Sequence, residues 1–119
     1  MKADRSANEL NAARALEHLR AAVKYANRGE EAFFDADVPD TYLLVEGELR
    51  KGFESLNRLG QSFFTANPKF DRERIGEIRQ KLTHDYADLD QEFVWKIVRD
   101  EAPPIIHLLT RAKLPREPS

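Results

Sequence analysis

Tyr42, Leu49, Leu56 and Phe63 stand seven residues apart, with Val45, Phe53 and Leu59 in the neighbouring seam positions. That recurrence places them along one side of an α-helix and predicts a long helix over about 40–65 with a nearly continuous apolar stripe. A stripe of this extent needs other helices to cover it. Gly47, Gly52 and Gly60 fall inside the segment, and each costs about 0.8 to 1 kcal/mol relative to Ala in a helix. Their presence calls for a compensating reason, which we read as close approach of another helix, at a dimer interface among other places. Glu46, Glu48, Arg50, Lys51, Glu54 and Arg58 form the polar remainder and read as a solvated face.

The segment before it supplies one partner. Leu16, Leu19, Val23 and Ala26 recur at three- and four-residue steps, with Ala12 a heptad before Leu19 and charged residues between, so an amphipathic helix is predicted over about 6–28. Ser6 with Glu9 fits a capping box at its start, and Gly29 fits the residue that closes its end. His18 lies on the polar or boundary side of the stripe, with no second ligand at a telling spacing. The connector from Gly29 to Thr41 is too short for a domain linker and carries Phe33 and Phe34, which predicts a turn folded over the bundle.

A third helix is predicted over about 71–85, capped by Asp71 and carrying Ile75, Ile78 and Leu82 at helical spacing. Its last turns hold Arg79, His84 and Tyr86, where a guanidinium, an imidazole and a phenol come close together in sequence. At about 100° per residue, Arg79 and Tyr86 point within about 20° of each other and His84 points about 140° away. A straight helix therefore does not aim Arg79 and His84 at one point. Either the helix ends near His84 or a second chain completes the site. Asp85, Asp88 and Asp90 are turn and cap formers and favour an end nearby. Lys69, Arg72, Arg74, Arg79 and Lys81 outnumber Asp71, Glu73 and Glu77, a local excess of five cations over three acids. Such a patch either holds phosphates or is laced by ion pairs within the helix.

A fourth helix over about 89–111 is predicted from Phe93, Val94, Ile97, Val98, Ile105, Ile106, Leu108 and Leu109, with Trp95 as an anchor. Pro103 and Pro104 remove backbone donors, and an interior Pro costs about 3 kcal/mol, so the helix should kink or break just before them and restart as a short piece. His107, between Ile106 and Leu108, reads as a core or boundary histidine, and residues 115–119 as a disordered tail. The fold expected is all-α: an antiparallel up-down four-helix bundle with a Pro-kinked last helix, in a single domain over 1–119.

Composition removes several function classes. A net charge of −2 from 19 basic and 21 acidic residues gives no global pull on phosphate, so nucleic-acid binding would need a local basic cluster. With no Cys there is no disulfide, thiolate metal site or thiol nucleophile. There is no Gly-rich phosphate loop, no clustered His and no Ser in a nucleophile elbow. Neither a secretory signal nor a membrane span is legible, which predicts a cytoplasmic protein.

The run Arg79-x4-His84-x-Tyr86, followed by Asp88-Leu89-Asp90, Val94-Trp95-Lys96-Ile97-Val98 and Pro103-Pro104, resembles the HEPN superfamily, and within it the HepT-like toxins. The match is specific over about 79–104 and architectural before it. Such proteins commonly carry Asn or Asp directly after the Arg, where this chain has Gln80, and an apolar residue before the His, where it has Thr83. The resemblance implies a homodimeric, metal-independent endoribonuclease toxin of a bacterial toxin-antitoxin pair. It implies RNA as substrate, no cofactor and no metal. Arg79 and His84 would be catalytic, and Tyr86 would accept AMP from a minimal nucleotidyltransferase antitoxin; from the basic patch, Lys81, Arg74 and Arg72 are the candidate RNA contacts.

The chemistry suits those residue types. With the neighbouring 2′-hydroxyl as nucleophile, RNA cleavage needs a base, an acid and a cation for the phosphorane charge. His84 can move protons near neutrality, and Arg79 offers a planar fork that matches two phosphate oxygens. One chain supplies one such His, so a two-histidine mechanism requires a two-fold dimer. The competing reading is structural: Arg79, Asp85 and Tyr86 close a helix end, and the chain is a non-catalytic helical binding or scaffold domain, an inactive HEPN.

Overall fold

The computed structural model describes residues 2–84 and 89–115, with side chains from Ala7 onward. Its helices are α1 (Lys2–Ala26), α2 (Glu30–Phe33), α3 (Asp40–Asn57), α4 (Gln61–Ala66), α5 (Arg72–His84), α6 (Gln91–Lys96) and α7 (Ala102–Thr110). A π-helical turn, Ile97–Glu101, joins α6 to α7 into one rod. Among the described residues there is no strand, and no helix is long and apolar enough to cross a membrane.

Cross-contacts fix the helix directions. Asn8 meets Gly60, His18 meets Glu48 and Arg28 meets Thr41, so positions rise along α1 as they fall along α3. Asn8 likewise reaches Pro115, while Val23 and Ala26 share a cleft with Val98 and Pro103, which sets the last rod antiparallel to α1. Arg74 pairs with Glu101, and Lys81 lies over Phe93. This makes α5 antiparallel to the same rod, and the up-down four-helix bundle expected from the sequence is the one observed.

The stripes were legible because burial follows helical period. Val45, Leu49, Phe53 and Leu56 of α3 are fully buried, and Ile75, Ile78 and Leu82 of α5 pack beside them. On α1 the buried positions are mostly small: Ala12, Ala15, Leu19, Ala22 and Ala26. Small side chains let α1 and α3 approach closely, and Gly52 sits at the contact. A Cβ there would lie 2.8 Å from Leu19 Cδ2 and 3.0 Å from its Cγ. This glycine serves packing within the chain. Gly47, by contrast, has room for a Cβ, whose nearest neighbour would be an Arg50 side-chain nitrogen at 3.9 Å.

Five expectations need correction. The helix predicted over 40–65 stops at Asn57 and restarts at Gln61, because Gly60 is extended (φ −79°, ψ 168°) and its N–H donates to Asn8 Oδ1 at 3.2 Å. Asn8, 1 % exposed, also donates to the Pro115 carbonyl at 2.8 Å, so the chain is still tethered at Pro115. Residues 116–119 of the expected tail lie outside the described residues. The first helix begins at Lys2, which leaves Ser6 inside it and not at its cap. Lys and Ala favour helix, and a capping preference of about 1 kcal/mol is too weak to stop one there. The α3 side chains read as a solvated face include buried Glu46, bonded to Arg50 at 3.2 Å, and Glu48, which meets His18 Nδ1 at 2.8 Å. Finally, His107 is exposed and not a core residue.

Two other expectations are met in form. Gly29 adopts φ 110° and ends α1, a backbone region that only glycine enters without strain. The irregularity before Pro103 is present too, but as a π turn in place of a gap: the Ala102 N–H bonds the Ile97 carbonyl, five residues back. Both prolines then occupy the first turn of α7, where missing N–H groups cost little.

Candidate active site

Helix α5 carries the chemistry-bearing residues, and its register decides where each one points. Ile75, Ile78 and Leu82 hold one side of α5 in the core. Arg79, one residue past Ile78, emerges at the seam with α3 and meets Glu54 there. Its Nε donates to Glu54 Oε2 at 3.1 Å and its Nη2 to Oε1 at 3.0 Å. This is a two-pronged, charge-assisted pair, with the side chains 28 % and 32 % exposed. The hydrogen bonds from Arg79 hold the Glu54 carboxyl below its ordinary range, with smaller help from the Arg79 and Arg58 charges and the Thr83 hydroxyl, while partial burial opposes them. Glu54 in turn raises Arg79, which stays charged at any working pH.

Thr83 is a second unusual feature. Its Oγ1 is buried and, among the described residues, has no partner at hydrogen-bond distance, although it lies near enough to Glu54 to favour the ionised carboxylate. Thr83 thus places a hydroxyl beside the Arg79–Glu54 pair.

His84 occupies the last position of α5, exposed and without a partner among the described residues. Helical geometry persists through His84, so the angular argument holds: Arg79 turns inward to α3 and His84 outward to solvent. The fold does not bring the two together within one chain. Tyr86, Asp85 and Asp88 lie outside the described residues.

The basic residues of α5 are engaged inside the fold. Arg72 donates to Gln61 Oε1 at 2.6 Å and lies over the Phe64 ring at 4.8 Å. Arg74 makes two bonds to Glu101, at 3.0 and 2.6 Å, and faces Glu77 at 3.6 Å; the Glu101 bonds push its basicity further up. The Lys81 ammonium sits 4.6 Å from the Phe93 ring centre. Of the two sequence readings of this segment, ion pairing within the helix is met, among the described residues, by Arg74 with Glu77 alone, and the shorter pairs of Arg74 and Arg79 run to Glu101 and Glu54 on other elements. Sequence reasoning missed Glu54 and Glu101, since pairing across helices leaves no local spacing to read.

The described residues thus form an all-helical bundle in which Arg79 is paired at the α3–α5 seam and His84 is exposed at the end of α5. The ribonuclease HepT-like family matches over residues 15–112, a span that includes Arg79, His84 and Tyr86. The chain belongs to this family, within the HEPN superfamily. No curated protein and no solved structure matches it.

Proposed function

We propose that this protein is a metal-independent endoribonuclease, the toxin of a bacterial toxin-antitoxin pair, acting as a homodimer that sets two Arg79-x4-His84 motifs around one cleft. The observation that carries the reading is the form of α5 within the family span: a fixed guanidinium at Arg79 and, five residues on, an exposed imidazole with no partner of its own among the described residues. An unengaged His at a helix end is available to a substrate and to a facing chain. His84 moves the proton of the 2′-hydroxyl, the second His of the dimer protonates the leaving oxygen, and Arg79 stabilises the phosphorane. A phosphate reaching Arg79 replaces one of the two Glu54 bonds, so Glu54 sets the rotamer from which the guanidinium works.

Tyr86 is the residue through which a minimal nucleotidyltransferase antitoxin silences the enzyme. AMP on the phenol adds bulk and negative charge where the RNA backbone must lie. The family span and the absence of a membrane-crossing helix among the described residues accord with a cytoplasmic site of action on RNA.

One observation favours a second reading, a non-catalytic helical scaffold. Arg79 is committed to Glu54 and does not face His84. Cleavage of total RNA in chelator, comparing wild type with His84→Ala, separates the two. Loss of cleavage in the variant supports the ribonuclease, and absence of any cleavage by the wild type supports the scaffold.

A further inference from the structure

At the far end of α5 from His84, residues of the stretches 66–70 and 107–113 line a pocket of about 360 Å³. Lys69, His107, Arg111 and Lys113 line it, and no Asp or Glu does. All four side chains are exposed and, among the described residues, none has an ion pair or hydrogen bond. This contrasts with α5 itself, where Arg74 and Arg79 are spent on acids. In a chain of net charge −2, an acid-free group of three permanent cations and a histidine is a local departure that attracts anions.

The pocket is also built rather than frayed. Asn67 Nδ2 donates to the Lys113 carbonyl at 2.8 Å, and the Lys113 N–H donates to Asn67 Oδ1 at 2.8 Å. This reciprocal clamp fixes the segment after α7 against the loop before α5. Only backbone atoms of Lys113 take part, so its side chain is left for a ligand. Phe70 and Leu108 add apolar surface to its lining.

We infer that this pocket binds phosphates of an RNA strand, as a second contact remote from the cleavage motif. The identity of the polyanion rests on the ribonuclease reading. Helix α5 has 13 residues, so at about 1.5 Å each the pocket and His84 are about 20 Å apart. At about 3.4 Å of helical rise per nucleotide, one strand touching both spans about six nucleotides. The enzyme therefore grips its substrate well away from the scissile bond.

The test is fluorescence-anisotropy titration of a 20-nucleotide RNA, fully 2′-O-methylated and hence uncleavable, across a salt series. Removing three phosphate contacts in the triple variant Lys69→Ala, Arg111→Ala, Lys113→Ala lowers the log–log salt slope by about 2, from about 0.7 per single-strand contact. With lines that converge at 1 M salt, this is about 100-fold weaker binding at 0.1 M. The double variant Lys69→Arg, Lys113→Arg keeps the charge and should bind like wild type, which separates loss of charge from loss of fold. Unchanged affinity and slope in the triple variant overturn the inference. So does calorimetric saturation by inorganic phosphate in a protein that does not bind the RNA, since the pocket would then take a small anion. Wild type that binds this RNA through the pocket yet cleaves no RNA leaves the inference standing and removes the ribonuclease reading. Wild type and triple variant that bind and cleave alike do the reverse.

Discussion

The Arg79–Glu54 pair yields a prediction whose size follows from its geometry. Two charge-assisted hydrogen bonds at 3.0 and 3.1 Å, made by side chains about 30 % exposed, stand between two regimes. Fully exposed pairs couple by about 0.2 to 1 kcal/mol, whereas breaking a buried pair costs about 3 to 5 kcal/mol. Solvent screening at this exposure puts the coupling near the lower regime, at about 1 to 2 kcal/mol. A double-mutant cycle of Glu54→Ala and Arg79→Ala, read by urea unfolding at pH 7 and low salt, measures it. The sequence alone places Arg79→Ala within about 1 kcal/mol of wild type, as for a site away from the core; the pairing moves it toward 2. The pH dependence has a definite sign. Glu54 titrates lower in the folded state than its ordinary value of 4.5, so its contribution is complete above that value and is lost as pH falls through the depressed one. Coupling below about 0.3 kcal/mol, or coupling that survives in full at pH 2, would refute the reasoning.

Gly52→Ala should destabilise by about 1 to 2 kcal/mol, because overpacking against the fully buried Leu19 outweighs the gain in helix propensity; Gly47→Ala, where a Cβ has room, should stabilise by about 0.5 to 1 kcal/mol. Thermal denaturation monitored by circular dichroism checks both, and shifts of equal sign would contradict the packing account. His84→Ala should reduce RNA cleavage in chelator by about 10² to 10⁴ with an unchanged melting temperature, since the side chain is exposed. Tyr86→Phe should keep partial cleavage and escape silencing by a co-expressed nucleotidyltransferase, with mass spectrometry showing no added AMP. Light scattering at tens of micromolar should give a dimer; a monomer would count against the two-histidine mechanism.

The sequence determined the helical class and the buried faces, and it singled out the candidate site residues. The seven-residue repeat from Tyr42 and the spacing of Ile75, Ile78 and Leu82 are local periodicities, and burial is periodic in the same variable, so core positions could be read directly. Gly29 and the prolines at 103 and 104 were legible for a related reason, since each restricts or frees its own backbone whatever surrounds it. Arg79 and His84 could be found as a motif, and their divergence on α5 follows from 100° per residue alone. What required the tertiary structure was every partnership between distant segments. Glu54 with Arg79, Glu101 with Arg74, Glu48 with His18 and Asn8 with Gly60 are separated by 25 to 52 residues, and no spacing rule links them. The break at Gly60 belongs to the same group: the apolar stripe runs on to Phe63, but a buried asparagine from α1 supplies the partner that lets the helix stop. Local physics thus set which residues face inward, and packing decided which charges are spent inside the fold and which, like Lys69, Arg111 and Lys113, have no side-chain partner among the described residues.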